Sequence, residues 1–325
     1  MKELSISDTT IEIYEYVFPQ FINPANTLFG GKMLYMISQA SALSANRVAQ
    51  GPVVMGSMDS VDFIEPVNSG DTLIFRSRVQ ATFNSSLEVG VTVFKRTLNG
   101  ELKVVTLAHF GYVAIDENGK PRKLNIKVVP KDEKEKLIYE WGLKKRTYRL
   151  ERIKNRKLEV NDIDISKKPT YSLYSSKLVF PYEIIYSNFM FAGYLFEKID
   201  ELGGILSVQY ARNPTFTASV DNFDFFSPVK LGDILHFYLG INYVGNRSME
   251  IGVKVIKEEA LTGKRYKVAS SYMTFVSIEP LKPFNPWKDY EVERWKSAEG
   301  RKLLRIERAK KFKECIKQNP LEPIC

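Results

Sequence analysis

Two kinds of residue in this sequence could do chemistry together. One is a carboxylate, Asp200, set among Leu195, Phe196, Ile199, Leu202 and Ile205 in a stretch of helical character. A carboxylate in apolar surroundings can serve as a general base or as a nucleophile. The other is a pair of small residues at a helix start, Gly30-Gly31, with a counterpart in Ala192-Gly193. The first N–H groups of a helix have no intrahelical acceptor. They can hold an anion or a developing oxyanion, and absent side chains let a ligand carbonyl come close. Each feature also has a plainer reading. A mid-helix acid is commonly a solvated face, and small residues can serve only to let a helix pack on a sheet. Asp200 follows Gly193 by seven residues, which is about two helical turns or ~10 Å.

The elements that must position these groups occur twice, 162 residues apart. Asn26-Thr27-Leu28-Phe29-Gly30-Gly31 returns as Asn188-Phe189-Met190-Phe191-Ala192-Gly193, and Asp59-Ser60-Val61-Asp62-Phe63 returns as Asp221-Asn222-Phe223-Asp224-Phe225. Pro66-Val67, Gly70-Asp71, Asn84, Ser86, Glu88 and Gly90 return at the same offset. Two copies of one fold unit suggest an internal pseudo-dimer with a cleft between unlike halves. The differences between the halves then indicate where function sits. The counterpart of Asp200 is Ser38, which cannot replace a carboxylate as base.

Each copy has the same order: a short extended lead-in (residues 11–17 and 177–180), a loop ending in the small pair, a helix (30–48 and 192–210), and several strand-like runs. The runs are separated by Gly-Asp and Asn-rich turns. Among them are residues 73–79, 87–93 and 104–115, the last matched by 268–278. One long helix followed by antiparallel strands is an α+β pattern. Residues 131–157 read as a charged helix with Leu137, Trp141, Leu143, Tyr148, Leu150 and Ile153 as its apolar contacts, and 161–170 read as a linker. A comparable basic helix, residues 292–318, follows the second copy. The implied division is 1–125, 126–175, 176–282 and 283–325.

The chain has 325 residues, 44% apolar and 26% charged, as expected of a globular protein with two ordinary cores. No apolar run approaches the roughly 20 residues of a membrane span, and the first residues lack the pattern of a secretory signal. A cytoplasmic protein is expected. The only cysteines, Cys315 and Cys325, lie in the C-terminal tail, so neither a disulfide framework nor a cysteine zinc site is expected. His109 and His236 are not equivalent in the two copies and read as packed or edge residues, which argues against a Ser-His-Asp triad. The net charge of +9 equals that of residues 120–168 alone, with 17 Lys and Arg against 8 Asp and Glu. A solvated helix explains this charge, and so does a basic surface near a polyanionic ligand. No nucleic-acid motif accompanies it.

The combination of residues 26–34 (Asn-Thr-Leu-Phe-Gly-Gly-Lys-Met-Leu), 58–71 (Met-Asp-Ser-Val-Asp-Phe-Ile-Glu-Pro-Val-Asn-Ser-Gly-Asp), 85–91 (Ser-Ser-Leu-Glu-Val-Gly-Val) and 112–121 (Tyr-Val-Ala-Ile-Asp-Glu-Asn-Gly-Lys-Pro) resembles the hotdog-fold acyl-CoA thioesterases. The tandem-hotdog acyl-CoA hydrolases are the group most similar. The resemblance covers most of residues 10–120 and 176–280. It implies two hotdog units, each a long helix wrapped by a curved antiparallel sheet, with acyl-CoA bound between them and no further cofactor or metal. It also implies that the Gly31 N–H stabilises the oxyanion, that Asn26 assists from the loop, and that Asp200 of the other unit is the catalytic carboxylate. The family's Asn aligns either at Asn26 or one position later, at Thr27. The second corner, with Asn188, Gly193 and Ser38, would be inactive or only bind ligand. The turns Asn84-Ser85-Ser86 and Asn246-Arg247-Ser248 correspond to coenzyme A contacts in the family, though turn chemistry alone also accounts for them. Where many tandem members have His in the Gly-Gly loop, this chain has Phe29 and Phe191.

The expected activity is hydrolysis of acyl-CoA to a fatty acid and coenzyme A at one asymmetric site. The expected assembly is a homo-oligomer, a trimer of tandem chains by resemblance, with neither nucleic acid nor membrane as partner. The competing reading is an acyl-CoA-binding regulatory module without catalysis. A hydratase-type hotdog enzyme ranks below both, because it needs a His in the cleft, and a basic nucleic-acid binder ranks last.

Overall fold

The computed structural model describes residues 2–155, 163–321 and 323–324. The first unit contains β1 (Lys2–Leu4), β2 (Ile11–Tyr16), α1 (Gly30–Ala49), β3 (Val53–Met58), β4 (Val61–Asp62), β5 (Thr72–Thr82), β6 (Ser86–Arg96), β7 (Leu102–Ala114) and β8 (Ile126–Val128). It is followed by α2 (Glu133–Asn155). The second contains β9 (Ser172–Leu178), α3 (Ala192–Ala211), β10 (Thr215–Val220), β11 (Phe223–Asp224), β12 (Asp233–Val244), β13 (Ser248–Glu259) and β14 (Arg265–Ser277), followed by α4 (Asp289–Gln318). The second lead-in strand starts earlier than the sequence pattern suggests, because Ser172–Leu178 pairs along β12 with Tyr174 opposite Tyr238. Residues 156–157 of the expected charged helix and 161–162 of the expected linker lie outside the described residues, as does Cys325.

Two antiparallel sheets carry the fold, in the orders β2-β5-β6-β7-β3-β11 and β9-β12-β13-β14-β10-β4. Each takes its last, two-residue strand from the other unit. β4 pairs with β10 through Asp62 and Ser219, and β11 pairs with β3 through Asp224 and Ser57. Between these exchanged strands, the Ser60 N–H donates to Asn222 Oδ1 at 3.0 Å. Ser60 and Asn222 are counterparts at the 162-residue offset, so their contact marks the pseudo-twofold axis, as self-contact does in a symmetric dimer.

Each sheet wraps one long helix. α1 is buried on almost all sides, from Met33, Leu34 and Ile37 to Ser38, Ala40, Ser41, Ala45 and Val48. A helix apolar all round belongs inside a core. α3 is buried through Leu195, Phe196, Ile199, Asp200, Leu202 and Leu206. The two helices meet at their starts, where Tyr35 lies edge-on to Phe191 and Tyr194, with ring centroids 5.4 and 5.1 Å away. This is the tandem hotdog arrangement that the resemblance implies, and the fold is α+β.

The two basic helices cover the outer faces of the sheets; on α2 the expected Trp141, Leu143 and Ile153 are half-buried, but the fully buried positions are others. On α2 the buried residues are Glu135, Ile138, Gly142 and Arg149, whereas Leu137, Tyr148 and Leu150 are more than half exposed. The buried set follows the helical repeat, and its last member is a charge because the sheet presents carboxylates there. Arg149 bridges Asp59 at 3.0 Å and Glu88 at 2.6 Å, while Arg152 reaches Asp224 of the other unit at 2.7 Å. α4 repeats the device, with Arg305 on Asp221 and Glu250 at 2.6 and 2.7 Å and Arg308 on Asp62 of the first unit. The duplicated acids Asp59, Asp62, Asp221 and Asp224 therefore clamp the C-terminal helices across the unit boundary. Removing one partner of such a buried pair leaves an uncompensated charge, typically at a cost of ~3–5 kcal/mol. Cys315 on α4 is disulfide-bonded, a cross-link that the sequence reading does not expect; its partner lies outside the described residues.

Candidate active site

Asp200 sits on the buried face of α3, with no accessible surface. The start of α1, from the other unit, abuts it. The Gly31 N–H donates to Asp200 Oδ2 at 2.6 Å, and the Thr217 hydroxyl donates to Oδ1 at 2.6 Å. Asp200 and Gly31, chosen from sequence, thus meet across the unit boundary.

The glycines are there because two chains approach closely. A Cβ on Gly30 would lie 2.7 Å from Thr217 Cβ, and one on Gly31 would lie 2.9 Å from Glu197 Cα and 3.0 Å from Asp200 Cβ. Neither backbone atoms nor a buried β-branched side chain can yield to that. Thr217 is aimed at the carboxylate by a register shift between Thr217 and Ser219 in β10, the kind of irregularity that turns a side chain towards a site.

Burial pushes the Asp200 carboxyl up to about 7, with the nearby Glu197 charge adding to the rise, while the bonds from Thr217 and Gly31 pull it back. The result is a carboxylate half ionised near neutral pH, which suits a general base.

The remaining predicted residues sit elsewhere. Asn26 is exposed, with φ of 61°, and its counterpart Asn188 has φ of 60°. Asn tolerates this left-handed conformation better than most residues, so the duplicated asparagine has a backbone reason. Asn23 organises the loop instead: its Oδ1 accepts from the N–H groups of Ala25 and Thr27. The turn Asn84-Ser85-Ser86 is bonded to the segment after β7, the Leu124 N–H donating to Asn84 O and Arg146 donating to Ser86 Oγ at 2.9 Å. The turn Asn246-Arg247-Ser248 is bonded likewise to Leu281 and Ser277, with Asn246 and Arg247 exposed. These bonds fix the shape of both turns. His109 packs on Trp141, and burial holds its ring far below the usual imidazole range, near 3. His236 stacks on Tyr174. Among the described residues, no group of three or more His, Cys, Asp or Glu side chains could hold a metal ion.

Sequence reasoning missed Thr217. Its signal was the repeat itself, since the counterpart of Thr217 is Met55, a polar-to-apolar difference at the same strand position.

The chain matches the family model of the Thioesterase superfamily over residues 25–100 and again over 187–264. The Bacillus subtilis protein YkhA, named as an uncharacterized acyl-CoA thioester hydrolase, is 38% identical over 142 residues, which span 43% of this chain and 80% of that protein. The human cytosolic acyl coenzyme A thioester hydrolase is 25% identical over 307 residues, spanning 88% of this chain and 80% of that one. A solved structure of an acyl-CoA hydrolase from Staphylococcus aureus, in complex with butyryl coenzyme A, coenzyme A and coenzyme A disulfide, is 34% identical. It covers 48% of this chain and 93% of that one, with a TM-score of 0.43. With the family's sequence matched in both halves, this chain belongs to the thioesterase superfamily and carries its fold twice.

Proposed function

We propose that the protein hydrolyses acyl-CoA to a fatty acid and coenzyme A at a single asymmetric site, where α1 of the first unit meets α3 of the second. The observation that carries this reading is the buried Asp200 carboxylate held by the Gly31 N–H and the Thr217 hydroxyl. In the resting protein the Gly31 N–H serves the carboxylate. When the thioester enters, that N–H passes to the carbonyl oxygen, and Asp200 is freed to act.

Asp200 then takes a proton from water as the water oxygen bonds to the carbonyl carbon. The tetrahedral oxyanion rests on the Gly31 N–H and the positive end of α1. Collapse breaks the C–S bond, and the departing thiolate takes the proton from Asp200. In the covalent variant of this route, Asp200 attacks the carbon itself and water resolves the anhydride. A single turnover in ¹⁸O-water separates the two, because only the covalent variant puts label into Asp200. Asn26 lies on the loop that leads to Gly31 and is assigned the assisting contact with the bound thioester.

The names of the relatives support the substrate class, and the human relative's name supports a cytosolic placement. Among the described residues, no helix is long and apolar enough to cross a membrane. Arg149, Arg152, Arg305 and Arg308 are spent on ion pairs with the protein's own carboxylates, which weakens the case for a nucleic-acid partner. Assembly as a homo-oligomer, a trimer of tandem chains, and phosphate contacts by Arg247 belong to the same proposal. The deciding assay follows thiol release from acyl-CoA of increasing chain length, with wild type beside Asp200→Asn. Hydrolysis that survives the substitution would sink the assignment, and no hydrolysis at any length would favour the binding-module reading.

A further inference from the structure

Strand β12 buries Leu235, Phe237 and Leu239 in the core, so His236 and Tyr238 point to the opposite, outer face of the second sheet. There the Tyr174 hydroxyl of β9 lies 2.8 Å from His236 Nδ1. Glu258 Oε2 of β13 lies 3.2 Å from His236 Nε2, and Arg265 Nε of β14 donates to the same oxygen at 2.6 Å. Four neighbouring strands thus contribute one residue each. The register puts them on one face, with Tyr174 opposite Tyr238 and Glu258 opposite Arg265. The Asp200 reaction uses none of them.

The protons in this relay can be assigned. The bond from Arg265 holds the Glu258 carboxyl below the usual carboxylate range, so near neutral pH its oxygens only accept. His236 Nε2 must then carry the proton that faces Glu258. In the neutral ring Nδ1 is left as a lone pair, and the Tyr174 hydroxyl donates to it. His236 is buried, whereas Tyr174 is 53% exposed. A phenol open to solvent therefore hands its proton to a base that a carboxylate orients, which is how a weak nucleophile is activated. Tyr14, on the edge strand β2, gives the contrast. It is 61% exposed, but its hydroxyl donates to Glu12 at 3.0 Å, and that bond pushes its pKa up. The relay belongs to the second unit alone, because the counterparts of Tyr174, His236, Glu258 and Arg265 are Glu12, Ile74, Arg96 and Leu102.

We propose that Tyr174 is a nucleophile for acyl transfer from activated carboxylic esters, with His236 as its general base and Glu258 as the positioning residue. This activity goes beyond the thioesterase reading and does not depend on it. The Tyr174 oxygen bonds to the ester carbonyl carbon as its proton passes to His236 Nδ1. Arg265, 46% exposed and within electrostatic reach of the Tyr174 phenol, offsets the charge of the oxyanion. The bond from that carbon to the leaving oxygen then breaks. The leaving oxygen takes the proton from His236, and the acyl group stays on Tyr174 as an aryl ester. Water, with His236 again as base, cleaves this ester more slowly to the free acid and the restored phenol.

Full-length Asp200→Asn protein, which lacks the thioesterase carboxylate, is mixed with p-nitrophenyl acetate. Release of p-nitrophenolate is followed, and the acetylated residues are found by peptide mass spectrometry. A burst stoichiometric with the polypeptide is expected, with acetyl on Tyr174 well before Tyr14. Tyr174→Phe should remove the burst. His236→Ile, which copies the first unit, should slow acetylation of Tyr174 by roughly 10²–10⁴ and leave that of Tyr14 unchanged. Glu258→Gln should slow Tyr174 in the same selective way, which a general loosening of the sheet would not do. The comparison of Tyr174 with Tyr14 needs no substitution in the relay, so it holds even where a variant fails to fold. Acetylation of Tyr174 no faster than that of Tyr14, or a burst that survives Tyr174→Phe, overturns the proposal. Thiol release from acyl-CoA is read separately on wild type: its absence removes the Asp200 reading alone, and absence of the Tyr174 burst removes this inference alone.

Discussion

The Asp200 corner and the Ser38 corner are built on counterpart helices and strands and differ in their side chains. Asp200, Thr217 and Gly30 in one stand against Ser38, Met55 and Ala192 in the other. The first set makes a closed, fully hydrogen-bonded carboxylate; the second leaves a cavity and an unpaired hydroxyl. The same fold element thus carries a buried ionisable group in one copy and an apolar space in the other.

The largest expected effect comes from making the corners alike at the acid. Asp200→Asn should lower kcat/KM for acyl-CoA by roughly 10²–10⁴ if the carboxylate is a general base, and by more if it is the nucleophile, as followed by thiol release. Next is the helix start. Gly31→Ala forces its Cβ against Glu197 and Asp200 and should cost about 10² in kcat/KM, since small misplacements at a reacting centre are costly. At Gly193→Ala the nearest atoms are ring atoms of Phe191 and Tyr35, which can turn aside, and the substitution should leave hydrolysis unchanged. Equal losses in the two variants would contradict the asymmetry.

Thr217→Val sharpens the comparison further. Its hydroxyl stabilises the ionised carboxylate, and hydrogen bonds to charged groups contribute ~1.5–3 kcal/mol. The wild-type pH–rate profile should rise through about 7, and the variant's midpoint should move up by about one to two pH units. A midpoint that does not move would detach Thr217 from Asp200.

Stability should change with pH in the sense set by the same carboxyl. Its folded pKa is raised, so the folded state binds the proton more tightly than the unfolded state does. Its contribution favours folding below the usual carboxylate range and is lost as pH rises towards about 7. Asp200→Asn, which cannot ionise, should therefore gain on wild type in denaturant titrations between pH 4 and 7, by up to a few kcal/mol, with no further gain above. A difference independent of pH would show that Asp200 is not the titrating group.

The smallest effect is expected from rebuilding the silent corner. Ser38→Asp alone lacks a hydroxyl donor, so Ser38→Asp with Met55→Thr, placed in Asp200→Asn protein, is the variant that should raise hydrolysis above the Asp200→Asn level. No gain would show that Ala192 and the cavity already bar the thioester from a productive position.

Much of this arrangement is written in the chain. A 162-residue repeat with a helix followed by strands implies two like units, and the acid present in only one of them marks the asymmetric corner. Gly31 and Asp200 could be named because small residues and a lone carboxylate in an apolar helix are local signals. Asn26 has a local reason of its own: its side chain type suits a left-handed backbone, and residue type alone does not separate a turn from a binding amide. Arg149 on the buried face of α2 was missed because it looks solvent-bound until Asp59 and Glu88 are known to lie under it.

The sequence by itself determined the fold and the duplication, and singled out a carboxylate in an apolar helix, since periodicity and composition express what each segment must bury. Only the tertiary structure decided that the Gly31 N–H rests on Asp200, that Thr217 is its second donor, and that an apolar cavity opens beside Met55 and Ala192. Those facts are distances between residues far apart in the chain, and such distances are set by how two helices and two sheets pack.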